Sequence, residues 1–225
     1  MGPQPGYEFF REMIKALLLD FDGTLVSEDM LHIACGILGK EEESKRIQQA
    51  FIDSGVPSIQ PLVERINLLK GVTLDQLSNK IHEDFHLMPG ARELIQYAKS
   101  QGIITLLASG NIEFILQIYQ KELGIDHIVG TQPLIENDVI KGVDEHHQPS
   151  LNFKAERLQE ELTELGIDPH DTIAIGDSRV DRGMFKLAGH SIAINPKEGI
   201  ENLVDDVIYD DLADAIPIVE QLRSL

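Results

Sequence analysis

The 225-residue chain is poor in three things. It has a single cysteine, Cys35, so no internal disulfide can form, which suits a reducing compartment such as the cytoplasm. Cys35 ends the apolar stretch Leu31-His32-Ile33-Ala34, which predicts a small buried side chain. Apolar runs are no longer than a strand, so no membrane-spanning helix is expected. Positive charge is scarce: 19 Lys and Arg stand against 38 Asp and Glu, a formal net charge of −19. Such a surface repels a phosphate backbone, which argues against nucleic acid as a partner. A small anionic ligand would then need a metal or a few well-placed basic residues to offset the field.

The first 13 residues lack a basic region followed by an apolar stretch, and read as a disordered leader rather than a signal peptide. Gly2 is followed by Pro3 and there is no Ser or Thr at position 6, so no myristoylation is expected.

What is present is a rhythm of buried strands and helices. Leu17–Leu19, Ile103–Ala108, Thr172–Ile175, Ser191–Ile194 and the shorter Val207–Tyr209 are continuous apolar runs, many rich in β-branched residues, as in strands covered on both faces. Helices are expected from Ala91 to near Gly102, Asn111 to Leu123 and Asn152 to Leu165, the last two closed by Gly124 and Gly166. This alternation predicts an α/β fold with a doubly wound parallel sheet. The stretch 26–87 breaks the rhythm and reads as four helices, the last opened by a capping box at Thr73-Leu74-Asp75-Gln76. We therefore expect a core at 14–25 and 88–225 and an all-helical cap at 26–87, inserted after the first strand. A small hairpin is expected around Asn137-Asp138. His146-His147 reads as a polar loop, not a metal site.

Ligands of open parallel sheets bind beyond the carboxyl ends of the strands. Asp20 and Asp22 follow the first strand; Ser109, Gly110 and Asn111 follow the second; Asp177 and Asp181 follow Thr172–Ile175; Lys154 lies near the start of the helix before that strand. Unpaired carboxylates are costly to desolvate, so two of them closing a buried strand imply a cation or phosphate chemistry. One carboxylate can attack phosphorus and form an aspartyl-phosphate, and a second, two residues on, can protonate the leaving alkoxide. Asp177 adds negative charge that calls for a divalent cation, and oxygen ligands beside a phosphate favour Mg²⁺. Ser109 and the amides after it, Gly110 included, can bind phosphate oxygens, while Lys154 offsets charge.

These residues, in this order, resemble the four motifs of the haloacid dehalogenase (HAD) superfamily, over nearly the whole chain after Ile14. The resemblance implies Asp20 as nucleophile, Asp22 as general acid/base, Ser109 and Gly110 at the phosphate, and Lys154 as the motif III lysine. It implies Mg²⁺ held by Asp20, the Asp22 carbonyl and Asp177, with Asp181 close by. A dehalogenase of the superfamily uses one aspartate and no metal, so Asp22 and Asp177 speak for a phosphatase. Within the superfamily, Gly183–Gly189, Ile192–Lys197 and Glu64–Gly71 are similar to the phosphoserine phosphatase-like subfamily. That likeness implies serine biosynthesis and O-phospho-L-serine as substrate, its carboxylate met by Arg65 and its amine by Glu28. The alternatives are another small phosphomonoester (a phosphorylated amine, sugar or methylthio-ketose) or a non-hydrolytic relative. The chain departs from the subfamily at Gly23, Asn111 and Val180, where Ser, Gly and a polar residue are usual. A monomer or homodimer is expected.

Overall fold

The computed structural model describes residues 14–144, 149–197 and 199–224. The leader at 1–13 and the His146-His147 pair lie outside the described residues.

The first strand, β1 (Ala16–Leu19), is fully buried. The insert follows it: α1 (Met30–Cys35), α2 (Glu41–Ser54), α3 (Gln60–Asn67) and α4 (Leu74–Glu83). The capping box forms as its spacing predicts, with Thr73 Oγ1 accepting from the Gln76 N–H at 3.1 Å. Cys35 is buried. Then α5 (Ala91–Ser100), β2 (Ile104–Ile112), α6 (Glu113–Leu123) and β3 (His127–Thr131) resume the α/β rhythm. A hairpin of β4 (Leu134–Glu136) and β5 (Val139–Gly142) comes next. After it stand α7 (Phe153–Leu165), β6 (Thr172–Gly176), α8 (Arg182–Leu187), β7 (His190–Ile194), β8 (Asp206–Ile208) and α9 (Ala215–Ser224).

Among the described residues, six strands form one parallel sheet in the order β3-β2-β1-β6-β7-β8. The chain winds outward from β1 on one side and from β6 on the other, so the topological switch lies where β1 and β6 are neighbours, with Leu19 paired to Ile175. Side chains alternate across β1: Leu17 and Leu19 face a core shared with the insert, α5, α6 and α9, while Ala16 and Leu18 face α7 and α8. The second face is lined by Ala16, Ala108, Ala174 and Ala193, small residues that let those helices approach closely.

Two elements differ from the sequence expectation. β3 had no apolar run to announce it: it is a short edge strand whose Gly130 is required because a Cβ there would lie 2.7 Å from the Glu113 Cα. β2 does not stop at Ala108 but continues through Ser109-Gly110-Asn111 to Ile112, and α6 starts only at Glu113. Its pairing with β3 shifts register between Ala108 and Ile112, and Thr131 Oγ1 donates to the Gly110 carbonyl at 2.7 Å, holding the irregular end extended.

The insert is tied down at three places. The Met88 N–H donates to the Leu25 carbonyl at 2.9 Å, so its two connections to the sheet run side by side. Phe85 stacks on Tyr119 of α6 with ring centroids 4.5 Å apart, a contact worth about 1 kcal/mol beyond its burial. The hairpin turns through Asn137 (φ 51°) and Asp138 (φ 60°), residues that tolerate the left-handed region, and its Ile140 exchanges hydrogen bonds with Gly71 and Val72 of the insert. No helix among the described residues is long and apolar enough to cross a membrane.

Candidate active site

The strand ends at the switch point carry the acids. Asp20 leaves β1 with its N–H still bonded to the Ile175 carbonyl at 2.9 Å, so its position is an extension of the sheet ladder. Asp177 follows β6 directly. Asp20, Asp177 and Asp181 are all buried, and one carboxylate oxygen from each lies within 4.8 Å of the others.

Asp181 is pinned by three donors. Its Oδ2 accepts the N–H groups of Asp177 and Ser178, each at 3.1 Å, and its Oδ1 accepts Lys154 Nζ at 2.7 Å. Gly176 permits this: a Cβ there would sit 2.7 Å from the Asp181 carboxyl carbon. Lys154, from the first turn of α7, also donates to Asp20 Oδ1. Asp20 Oδ2 in turn accepts the Thr24 hydroxyl at 3.3 Å.

The electrostatics follow from crowding. Burial, with the Asp181 charge next, pushes the Asp20 carboxyl well above its ordinary range, against the pull of Lys154. Asp177 is raised by burial and then by Asp181, with Lys197 opposing. Burial works against the Lys154 ammonium, but Asp181 and Asp20 outweigh it and hold it charged. A cluster with more acid than amine, made only of oxygen ligands, fits a hard divalent cation.

Asp22 stands apart from that cluster. Its Oδ1 accepts the Met30 N–H at 2.8 Å, at the start of α1, and Asn111 Nδ2 donates to both of its oxygens, at 3.3 and 3.0 Å. Burial and then Asp29 push its carboxyl up to about 7. Ser109 is buried on β2, and its Oγ accepts the Asn111 N–H at 3.0 Å, which leaves its own hydrogen free to donate. Gly110 is roofed by Leu62 of α3, whose Cδ2 would be 2.8 Å from any Cβ at that position.

Arg65 is 7% exposed. Its Nη2 pairs with Asp29 Oδ1 at 2.6 Å, its Nε donates to Ser44 Oγ at 3.0 Å, and its Nη1 donates to Gln48. Glu28 is exposed, and the acid that meets Arg65 is its neighbour, Asp29, which also caps α1 by accepting the N–H groups of Leu31 and His32. The structure thus brings Asp20, Lys154, Asp177 and Asp181 together, ties Asp22 through Asn111 to the end of β2 that carries Ser109 and Gly110, and places Arg65 in the insert without Glu28.

Sequence reasoning passed over three residues. Asp29 had a signal, since an Asp directly before an apolar helical run is an N-cap. Asn111 reads from the sequence as a polar residue after the second strand that opens a helix, with no role of its own. Lys197, whose Nζ lies 2.5 Å from Asp177 Oδ2, follows β7 as the other site residues follow their strands.

A hydrolase is the class that this fold and site define, and the chain belongs to the haloacid dehalogenase-like hydrolase family, whose sequence model matches residues 17–186. Its relatives include the phosphoserine phosphatase of Archaeoglobus fulgidus, 29% identical over 205 residues, and that of Methanocaldococcus jannaschii, 29% identical over 193 residues. These matches cover 91% and 85% of this chain; they span 59% of the Archaeoglobus protein and 90% of the Methanocaldococcus protein. Among solved structures, a phospho-aspartyl intermediate analogue of phosphoserine phosphatase is similar at a TM-score of 0.80 and 27% identity, over 92% of this chain and 99% of that one.

Proposed function

We propose that this chain is a Mg²⁺-dependent phosphomonoester hydrolase that works through an aspartyl-phosphate on Asp20, with O-phospho-L-serine as its substrate. The observation that carries the reading is the convergence of Asp20, Asp177 and Asp181 with Lys154 at the switch point of the sheet. Asp20, Asp177 and Asp181 would hold the cation, which supplies charge neutralisation at the phosphoryl oxygens.

In the first half-reaction a carboxylate oxygen of Asp20 bonds to phosphorus, the ester P–O bond breaks, and Asp22 gives its proton to the departing alkoxide oxygen. Lys154 favours the charged form of Asp20 against burial and Asp181, and offsets charge as the phosphoryl group arrives. The Ser109 hydroxyl and the Gly110 amide are the donors for phosphoryl oxygens. In the second half-reaction Asp22, now a carboxylate, takes a proton from water; the water oxygen bonds to phosphorus, the bond to Asp20 breaks, and phosphate leaves.

For the amino acid head group, Arg65 is the guanidinium for the carboxylate, and an acid beside it serves the ammonium. Glu28 and Asp29 are the acids at hand, and Asp29 has the geometry. The insert at 26–87 acts as the cap over the substrate. The lone buried thiol of Cys35 fits a cytoplasmic enzyme. One observation favours the second reading, another small phosphomonoester: Nε, Nη1 and Nη2 of Arg65 each already donate within the protein, so a substrate carboxylate would share a guanidinium that is already committed to Ser44, Gln48 and Asp29.

Phosphate release from a panel of esters tests this. Phosphoserine turned over well ahead of sugar and amine phosphates, and no turnover in Asp20→Asn, supports it. A fully active Asp20→Asn overturns it, and preference for a ligand without a carboxylate selects the second reading.

A further inference from the structure

The residue after Gly110 has the strongest unassigned position in the molecule. Asn111 is 2% exposed, on the irregular end of β2, and its N–H and both side-chain polar groups have partners. Its N–H donates to Ser109 Oγ at 3.0 Å, and its Oδ1 accepts the Ile112 N–H at 2.8 Å. That second bond fixes the orientation of the amide, because an NH₂ group cannot face an N–H. The NH₂ therefore has to point the other way, off its own strand, where it meets Asp22 Oδ1 at 3.3 Å and Oδ2 at 3.0 Å.

The two oxygens of Asp22 are not equivalent as a result. Among the described residues, Oδ1 accepts from both Met30 N–H and Asn111, whereas Oδ2 accepts from Asn111 alone. Each carboxylate oxygen offers about two lone-pair sites. Oδ1 is saturated, and Oδ2 keeps a site for a proton. Asn111 and Ser109 are also joined directly, through the Asn111 N–H and Ser109 Oγ. One strand end thus sets both the donor to the phosphoryl oxygens and the tilt of the acid that serves the ester oxygen on the same phosphorus.

We propose that Asn111 is a positioning residue for the proton donor: it locks the Asp22 carboxyl so that Oδ2 carries the proton toward the leaving oxygen. This rests on the reading of Asp22 as general acid. A glycine at this position would have no side-chain amide to give, and the acid would lose that bond. The consequence is selective. Esters with poor, alkoxide-like leaving groups need the proton; esters of acidic phenols leave without it.

The test compares kcat/KM for a simple alkyl ester, glycerol phosphate, and for p-nitrophenyl phosphate, with saturating Mg²⁺. Glycerol phosphate keeps the result independent of whether phosphoserine is the substrate. The alkyl-to-aryl ratio should fall about tenfold or more in Asn111→Gly, moving toward the ratio of Asp22→Asn. Asn111→Ser, too short to reach both oxygens, serves if the glycine variant fails to give a native circular dichroism spectrum. An unchanged ratio in a folded Asn111 variant, with a lowered ratio in Asp22→Asn, overturns the proposal and leaves the acid reading standing. An unchanged ratio in Asp22→Asn itself removes the acid reading, and the proposal with it.

Discussion

Lys154 Nζ lies 2.7 Å from Asp181 Oδ1, a buried bond that joins the first turn of α7 to the loop after β6. The same nitrogen reaches Asp20, so one ammonium serves two carboxylates from two strand ends. Removing it leaves both acids buried without their cation. Lys154→Met should lower kcat by about 100-fold or more and reduce the stability of the metal-free protein by about 3 kcal/mol. Steady-state phosphate release and urea unfolding measure the two effects. Near-wild-type turnover in a folded variant would contradict the role given to Lys154.

The acid cluster predicts a metal response with a definite sign. Burial and Asp181 hold the Asp177 carboxyl above its ordinary range, so its charged form is disfavoured in the folded state. At neutral pH that charge costs stability unless a cation offsets it. Mg²⁺ should raise the wild-type Tm, since it binds the folded state, and chelation should silence turnover reversibly. Asp177→Asn should melt about 2 °C higher than metal-free wild type and lose the rise with Mg²⁺. A full Mg²⁺-dependent rise in the variant would exclude Asp177 as a ligand.

Much of this site was legible in the sequence because it sits on the most regular part of the fold. β1 and β6 are short apolar runs buried on both faces, and acids placed just after them can only lie at one edge of a parallel sheet. Ser109-Gly110-Asn111 misled, because small polar residues after an apolar run read as a turn and cap. Only pairing with Thr131 on β3, itself invisible as a pattern, keeps them extended. The acid that pairs with Arg65 within the protein was not legible for a related reason. Adjacent acids look alike in sequence, and only the start of α1 turns Asp29 toward the guanidinium while Glu28 faces solvent.

Arg65 offers a substrate-specific prediction. Arg65→Ala should raise KM for phosphoserine by about tenfold or more, the scale of a lost charge-assisted hydrogen bond. It should leave KM for p-nitrophenyl phosphate close to wild type. Because the guanidinium is also buried against Ser44, Gln48 and Asp29, the variant should melt at lower temperature. Equal changes in KM for both esters would make Arg65 a support of the insert and not a reader of the substrate.

Asp29 sets a pH dependence of stability. Burial acts to raise its carboxyl, but Arg65 and then His32 outweigh it and hold it below its ordinary 3.8. An acid with a depressed value in the folded state stabilises above its unfolded value, and that stabilisation is lost as pH falls through the folded one. Asp29→Asn should therefore be less stable than wild type at pH 7, with the difference shrinking below about pH 4. Urea unfolding of both proteins across that range reads it. A difference independent of pH would mean that the fit of the side chain at the start of α1, not the ion pair, is what matters.

The covalent intermediate gives the most direct test of the central claim. Wild-type enzyme with Mg²⁺ and phosphoserine, quenched in acid during turnover and digested, should show a phosphoryl group on the peptide that carries Asp20. In Asp20→Asn the same peptide should stay unmodified and turnover should vanish. Steady turnover with the phosphoryl group on another residue, or an Asp20→Asn protein that still releases phosphate, would contradict the account.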